Sequence, residues 1–244
     1  MEVKKHYGHK IEDFQFDSMK YELILFDADG TLFDFEKAEK KAFAKTMKHF
    51  GVIENLGLLH SEYEKINLAI WQEFQEGKIS SENLRTERFQ RFFDKNNLKL
   101  NPADVSSFYL KRLSEGVDLI PSAEEIIRHF WGKCEFAIAT NGLSDVQRPR
   151  FAASRLAPYF KHIFISEEIG CPKPNPAFFD FIFRELPYKD TAVIVGDNLT
   201  SDIQGGIDCG IDTCWFNPGK KSKVNGIQPT YEISKLDELK TLFE

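Results

Sequence analysis

Two hydrophobic rhythms alternate along the chain. Residues 21–26 (YELILF) form a short apolar run that breaks at Asp27-Ala28-Asp29-Gly30, as a buried strand running into a loop does. After Asp34 the rhythm changes to helical spacing. Phe43, Met47 and Phe50 share one stripe, Ile66, Ile70 and Phe74 a second, and Phe89, Phe92 and Phe93 a third. Gly51, Gly57, Gly77 and Asn96-Asn97 read as segment ends, and Asn101-Pro102 as an N-cap followed by a first-turn proline. The pattern predicts four helices between about 36 and 116. Strand and helix then alternate: strands over 135–139 (EFAIA), 162–166 (HIFIS), 191–195 (TAVIV) and 211–216, and helices after Ser122, after Ser144, over 176–186 and over 202–209. Ser122-x-x-Glu125 and Ser144-x-x-Gln147 read as capping boxes. Short apolar strands between helices imply an α/β fold with a mostly parallel sheet covered on both faces. The helical block is an insertion after the first strand.

This pattern divides the chain into a core of residues 19–33 and 119–244 and a helical domain of residues 34–118. Residues 1–18 show no period and are read as a leader or extension. At 244 residues and 42% hydrophobic the chain has enough length and apolar content for a sizeable core, which argues against disorder. The net charge of −6 disfavours nucleic acid or an anionic membrane as partner. Without a membrane-length apolar run or a signal-peptide pattern, a cytoplasmic protein is expected. Cys134, Cys171, Cys209 and Cys214 have no C-x-x-C or zinc spacing and are expected to be buried free thiols. Residues 34–118 hold 14 basic and 14 acidic side chains, so the rest of the chain carries the whole net charge.

Ligands of open parallel sheets bind beyond the carboxyl ends of the strands. The first predicted strand delivers Asp27 and Asp29 there, the second Thr140 and Asn141, and the 191–195 strand Asp197, with Asp202 five residues on. Lys173 lies in the loop Cys171-Pro172-Lys173-Pro174-Asn175-Pro176. Several carboxylates at one place repel one another unless a cation offsets them, and an all-oxygen set suits Mg²⁺. One carboxylate can be a nucleophile while a second moves protons, with a lysine and a hydroxyl on the phosphoryl oxygens. The set reads as Mg²⁺-assisted phosphoryl transfer.

Asp27-Ala28-Asp29-Gly30-Thr31-Leu32 resembles the D-x-D-G-T-[LV] motif of the haloacid dehalogenase-like hydrolases. Ala139-Thr140-Asn141-Gly142, Lys173-Pro174 and Gly196-Asp197-Asn198-Leu199-Thr200-Ser201-Asp202 resemble that family's second, third and fourth motifs, in order. The resemblance spans about residues 20 to 216. It implies a Rossmann-like three-layer core with an inserted all-helical cap. By motif it implies Asp27 as the nucleophile that forms an aspartyl phosphate and Asp29 as general acid and base. Thr140 and Lys173 would hold the phosphoryl group, with main-chain amides near Ala28, Asp29 and Asn141. Mg²⁺ would be held by Asp27, the carbonyl of Asp29 and Asp197, with Asp202 a ligand through water or a supporting partner.

The second half is similar to bacterial pyrimidine 5'-nucleotidases. The likeness rests on Thr140-Asn141-Gly142, Ile165-Ser166-Glu167-Glu168-Ile169-Gly170, Lys173-Pro174-Asn175 and Ser201-Asp202-Ile203-x-Gly205-Gly206. It implies a small phosphate monoester as substrate, specifically a nucleoside monophosphate. The alternatives are a sugar-phosphate phosphatase or phosphomutase of the same fold, and a catalytically silent binding protein. Dehalogenation has little use for Asp29, Asp197 and Asp202 together. Aromatic residues of the helical block, including Trp71, Phe89, Phe92 and Phe93, are expected in its core, and Arg85 and Arg88 on a solvated face. The motifs leave the oligomeric state open.

Overall fold

The computed structural model describes residues 19–224 and 226–244; the leader expected over 1–18 lies outside them. In chain order the elements are β1 (Leu23–Phe26), α1 (Phe35–His49), α2 (Leu56–Gln75), α3 (Ser81–Asn96), α4 (Pro102–Ser114), α5 (Ala123–Phe130), β2 (Glu135–Thr140), α6 (Ser144–Ala153) and β3 (His162–Ile165). Then follow the single turn α7 (Ser166–Ile169), α8 (Pro176–Glu185), β4 (Ala192–Gly196), a π-helical turn (Leu199–Ile203), α9 (Gln204–Cys209), β5 (Asp212–Phe216), β6 (Tyr231–Ile233) and α10 (Leu239–Phe243).

The six strands form one sheet in the order β3-β2-β1-β4-β5-β6, and every pairing is parallel. A parallel sheet buries both faces, so β1 (LILF) and β4 (AVIVG) are apolar and buried throughout. Their side chains feed two cores. Ile24, Phe26, Val193 and Val195 pack with α5 and α10, and Leu23, Leu25 and Ile194 pack with α8. The sixth strand is a feature the sequence reading lacks, since its three residues are too few to show a period.

All four helices of the 36–116 region are present, around their own core of Phe43, Met47, Tyr63, Ile70, Phe89, Phe92 and Tyr109. Asn101 caps α4 as expected, accepting from the N–H groups of Ala103 and Asp104. Gly57 is a correction, because it lies inside the first turn of α2. Both capping boxes are corrections as well. The Ser122 hydroxyl bonds Asp237 at 3.0 Å, and Ser144 turns its N–H to Glu167 and its hydroxyl to Glu168. In each case a tertiary carboxylate outcompetes the local cap. All four cysteines are free; Cys134, Cys209 and Cys214 are buried, Cys171 partly so. No helix among the described residues is long and apolar enough to cross a membrane.

The helical block leaves and rejoins the core at one place. The N–H of Asp34 donates to the carbonyl of Asp118 at 3.0 Å, and Phe33 pairs with Leu119. Lys37 and Lys41 both bind the Asp118 carboxylate.

Candidate active site

Three central strands end at the same level, because the register sets Phe26 beside Ile138 and Val195. The residues that follow those ends are therefore neighbours in space. The Asp27 N–H continues the ladder to the carbonyl of Val195 at 2.9 Å, placing its side chain at the sheet's carboxyl edge. The next turn is tight. Gly30 has φ +83°, and a Cβ there would come within 2.9 Å of the Asp197 carboxylate, so glycine lets Asp197 close over the loop.

Lys173 joins these strand ends. Its ammonium donates to Asp27 Oδ1 at 2.8 Å, to Asp202 Oδ1 at 2.6 Å and to the carbonyl of Ala139, which uses all three of its hydrogens. The lysine loop is held by Asn141, whose amide donates to the Lys173 carbonyl at 2.9 Å and accepts the Lys173 N–H at 2.8 Å. Asp202 Oδ2 accepts the N–H of Asn198. The Thr140 hydroxyl accepts from Gly142 N–H at 3.1 Å. No protein acceptor among the described residues takes the N–H of Ala28, Asp29 or Asn141.

Carboxylate oxygens of Asp27, Asp197 and Asp202 lie within 4.8 Å of one another, against the buried charge of Lys173, with Lys221 also acting on Asp197. The electrostatics register the imbalance. Burial raises the Asp27 carboxyl well above its ordinary value, Lys173 opposes that, and Asp202 and Asp197 add to it. Asp197 is pushed up to about 7, first by burial and then by Asp202. Burial would lower the Lys173 ammonium, but Asp202 and Asp27 outweigh it and the net direction is up. Among the described residues no hydrogen-bond donor reaches the Asp197 carboxylate, which lines a cavity of about 240 Å³ with Thr200, Trp215 and Lys221. A larger cavity, about 500 Å³ between Leu119 and Arg155, contains none of these residues.

Several contacts were not apparent from the sequence. Asp29 is gripped by two side chains of α6: Gln147 Nε2 donates to Oδ2 at 2.6 Å, and Arg150 forms an ion pair through Oδ1. The only sequence signal was their spacing of three, which sets both on one helical face. Arg85 and Arg88 correct the expectation of a solvated face. Arg85 on α3 makes a bidentate pair with Glu167 and reaches Asp145 at 3.0 Å, tying the helical block to the core. Arg88 is 1% exposed, over the rings of Phe89 and Tyr109. Phe89, Phe92 and Phe93 are core residues as expected, with Trp71 packed at the edge.

Residues 21–210 match the sequence model of the haloacid dehalogenase-like hydrolases. The chain belongs to that family. This HAD-like hydrolase is 36% identical to the HAD-hydrolase YfnB of Bacillus subtilis (strain 168), over 90% of its own length and 94% of YfnB. It is 33% identical to the pyrimidine 5'-nucleotidase PynA of Streptococcus pneumoniae (strain ATCC BAA-255 / R6), over 91% and 94% of the two chains. With the pyrimidine 5'-nucleotidase YjjG of Escherichia coli (strain K12) it shares 32%, over 92% and 98%. A crystal structure of YfnB bound to magnesium, described as revealing interdomain movement, superposes with a TM-score of 0.85 over 91% of this chain and 98% of that one. The six-stranded parallel sheet with its flanking helices is the Rossmann-like fold of the family. This HAD-like hydrolase is an enzyme of the phosphatase type.

Proposed function

We propose that the enzyme hydrolyses nucleoside 5'-monophosphates with Mg²⁺, through an aspartyl phosphate on Asp27. The observation that carries the reading is the carboxylate surplus: three buried or half-buried acids around one buried lysine, two of them pushed far from their ordinary values even though Lys221 also acts on Asp197. The donor set fits the ion, being all oxygen and including the Asp197 carboxylate, which no protein donor reaches among the described residues. Asp27 and Asp197 would hold it with the carbonyl of Asp29, and Asp202 would act through water or through Lys173. When bound, Mg²⁺ would offset the acids and polarise the phosphoryl oxygens.

The chain's own groups account for the remaining chemistry. An Asp27 oxygen bonds to phosphorus as the ester P–O bond breaks, and the leaving oxygen keeps that electron pair and takes a proton from Asp29. Asp29 then takes a proton from water as the water oxygen bonds to phosphorus. The bond to Asp27 breaks, returning its electron pair to the carboxylate and releasing phosphate. Thr140, Lys173 and the free amides of Ala28, Asp29 and Asn141 hold the phosphoryl oxygens. Lys173 has to exchange one of its three present partners to do so, and Asp27, which itself bonds to phosphorus, is the natural one.

In this reading residues 34–118 are a cap over a core of residues 19–33 and 119–244, and the ties from Arg85 to Asp145 and Glu167 support it. The nucleotide class is supported by the likeness to PynA and YjjG. The test is Mg²⁺-dependent release of p-nitrophenol from p-nitrophenyl phosphate, abolished in Asp27→Asn. Phosphate release from nucleoside 5'-monophosphates and from sugar phosphates then decides the class, and faster turnover of the sugar phosphates would move the assignment to them.

A further inference from the structure

Asp29 stands outside the cluster of Asp27, Asp197 and Asp202, and among the described residues its side chain is hydrogen-bonded only from α6. Gln147 and Arg150, three residues apart on one helical face, each take a different carboxylate oxygen. A carboxylate offers about four lone-pair positions, so two remain for a proton in transit. Both anchors are fully buried, whereas the Asp29 side chain is 25% exposed. Removing them would leave that side chain free to turn into solvent.

Each anchor is itself braced. Arg150 lies over the Phe33 ring with its guanidinium carbon 5.5 Å from the centroid, and its Nη2 reaches the Leu113 carbonyl of α4 at 3.4 Å. Asp29 is its only carboxylate partner among the described residues. The Gln147 amide, 3.5 Å from the Thr140 hydroxyl, passes directly over Gly142. A Cβ at Gly142 would overlap the Gln147 amide nitrogen, although the φ of Gly142 is not one reserved for glycine. The glycine of Thr140-Asn141-Gly142 therefore makes room for a side chain.

We propose that Gln147 and Arg150 are positioning residues that hold Asp29 where it moves protons, and that Gly142 is small so that Gln147 can reach it. The inference rests on the role proposed for Asp29. Its signature is dependence on the leaving group, because phenolate is a poorer leaving group than p-nitrophenolate and needs the proton more.

The experiment compares kcat/KM for phenyl phosphate and p-nitrophenyl phosphate, two esters of similar shape, in variants whose folding is checked by circular dichroism. General acid catalysis contributes about 10²- to 10⁴-fold. Gln147→Leu, Gly142→Ala and Arg150→Met should each lower phenyl phosphate turnover by about tenfold more than p-nitrophenyl phosphate turnover. Arg150→Lys should restore part of that difference. In a Gln147→Ala background Gly142→Ala should add less than about twofold, since the side chain it would strike is gone. Equal losses on both esters, or an undiminished Gly142→Ala effect in that background, would overturn the proposal. Asp29→Asn sets the largest attainable ratio between the esters. If Asp29→Asn leaves the ratio unchanged, the acid/base role itself falls; if it shifts the ratio and the Gln147 and Gly142 variants do not, only the positioning role falls. Should the Arg150 variants not fold, the Gln147 and Gly142 variants decide the matter alone.

Discussion

Glu39, on α1 inside the helical block, carries a prediction that can be worked through from its surroundings. It is 5% exposed and, among the described residues, takes one hydrogen bond, from Asn67 Nδ2 at 2.9 Å. Its ionisable neighbours are His60, with Nε2 at 3.9 Å, and Glu64, Arg88 and Glu36. Burial raises its carboxyl from 4.5 to about 7, Glu64 adds to this, and Arg88 and Asn67 oppose it. The folded state then binds a proton more tightly than the unfolded state. Stability from this group is complete below 4.5 and is lost as pH rises toward 7. At 1.36 kcal/mol per pH unit, that interval corresponds to about 3 kcal/mol. Glu39→Gln mimics the protonated side chain and keeps an oxygen for Asn67. Urea unfolding at pH 5 and pH 8, at one Mg²⁺ concentration, gives the change in stability for each protein. The wild type should lose about 2 to 3 kcal/mol more than Glu39→Gln over this range. Titrating groups that do not face Glu39 cancel in that comparison, and His60 and Glu64, which do, set the spread of the expected value. Equal pH dependence within about 0.5 kcal/mol would refute the account of a buried, charge-averse Glu39.

Other predictions concern the site. Because Asp197 is pushed up to about 7, protons compete there with a cation. Mg²⁺ should bind more weakly at pH 6 than at pH 8 by calorimetry, and Asp197→Asn should abolish the rise in melting temperature on adding Mg²⁺. Gly30→Ala meets both an unfavourable φ of +83° and the Asp197 carboxylate. It should raise the Mg²⁺ concentration for half-maximal activity by about tenfold, whereas Gly51→Ala, also at positive φ but in open space, should not. Asn141→Leu removes both hydrogen bonds holding the Lys173 loop and should lower kcat by about 10²-fold; a loss under threefold would show that the loop holds itself.

How much of this was legible in the sequence depended on whether a residue's partner is set by the chain or by packing. Asp27, Thr140 and Asp197 could be brought together on paper, because apolar runs mark strands and parallel strands end in register. The helices of residues 35–114 were legible through Phe43, Met47 and Phe89, whose spacing declares a buried face. Gln147 was misread as half of a capping box, since that local pattern fits it as well as its real partner, Asp29, 118 positions away. Ser122 and Ser144 were misread for the same reason, each taken by a distant carboxylate. Arg88 defeated the rule that charges face solvent, because its burial depends on Phe89, Tyr109 and the Glu39–Asn67 pair closing around it.

The junction at Asp34 and Asp118 bears on how such a protein can change over generations. The excursion from Phe35 to Val117 starts and finishes at one backbone hydrogen bond, so to the sheet it is no wider than a hairpin turn. Loop-closure entropy grows only logarithmically with length, at about 0.6 kcal/mol per doubling. The sheet is thus nearly indifferent to what hangs from those two residues. Helices away from the Arg85 and Leu113 contacts could be swapped, lengthened or rebuilt there with little cost to the strands below, and a lineage could alter what the site admits while keeping its strand-end chemistry intact.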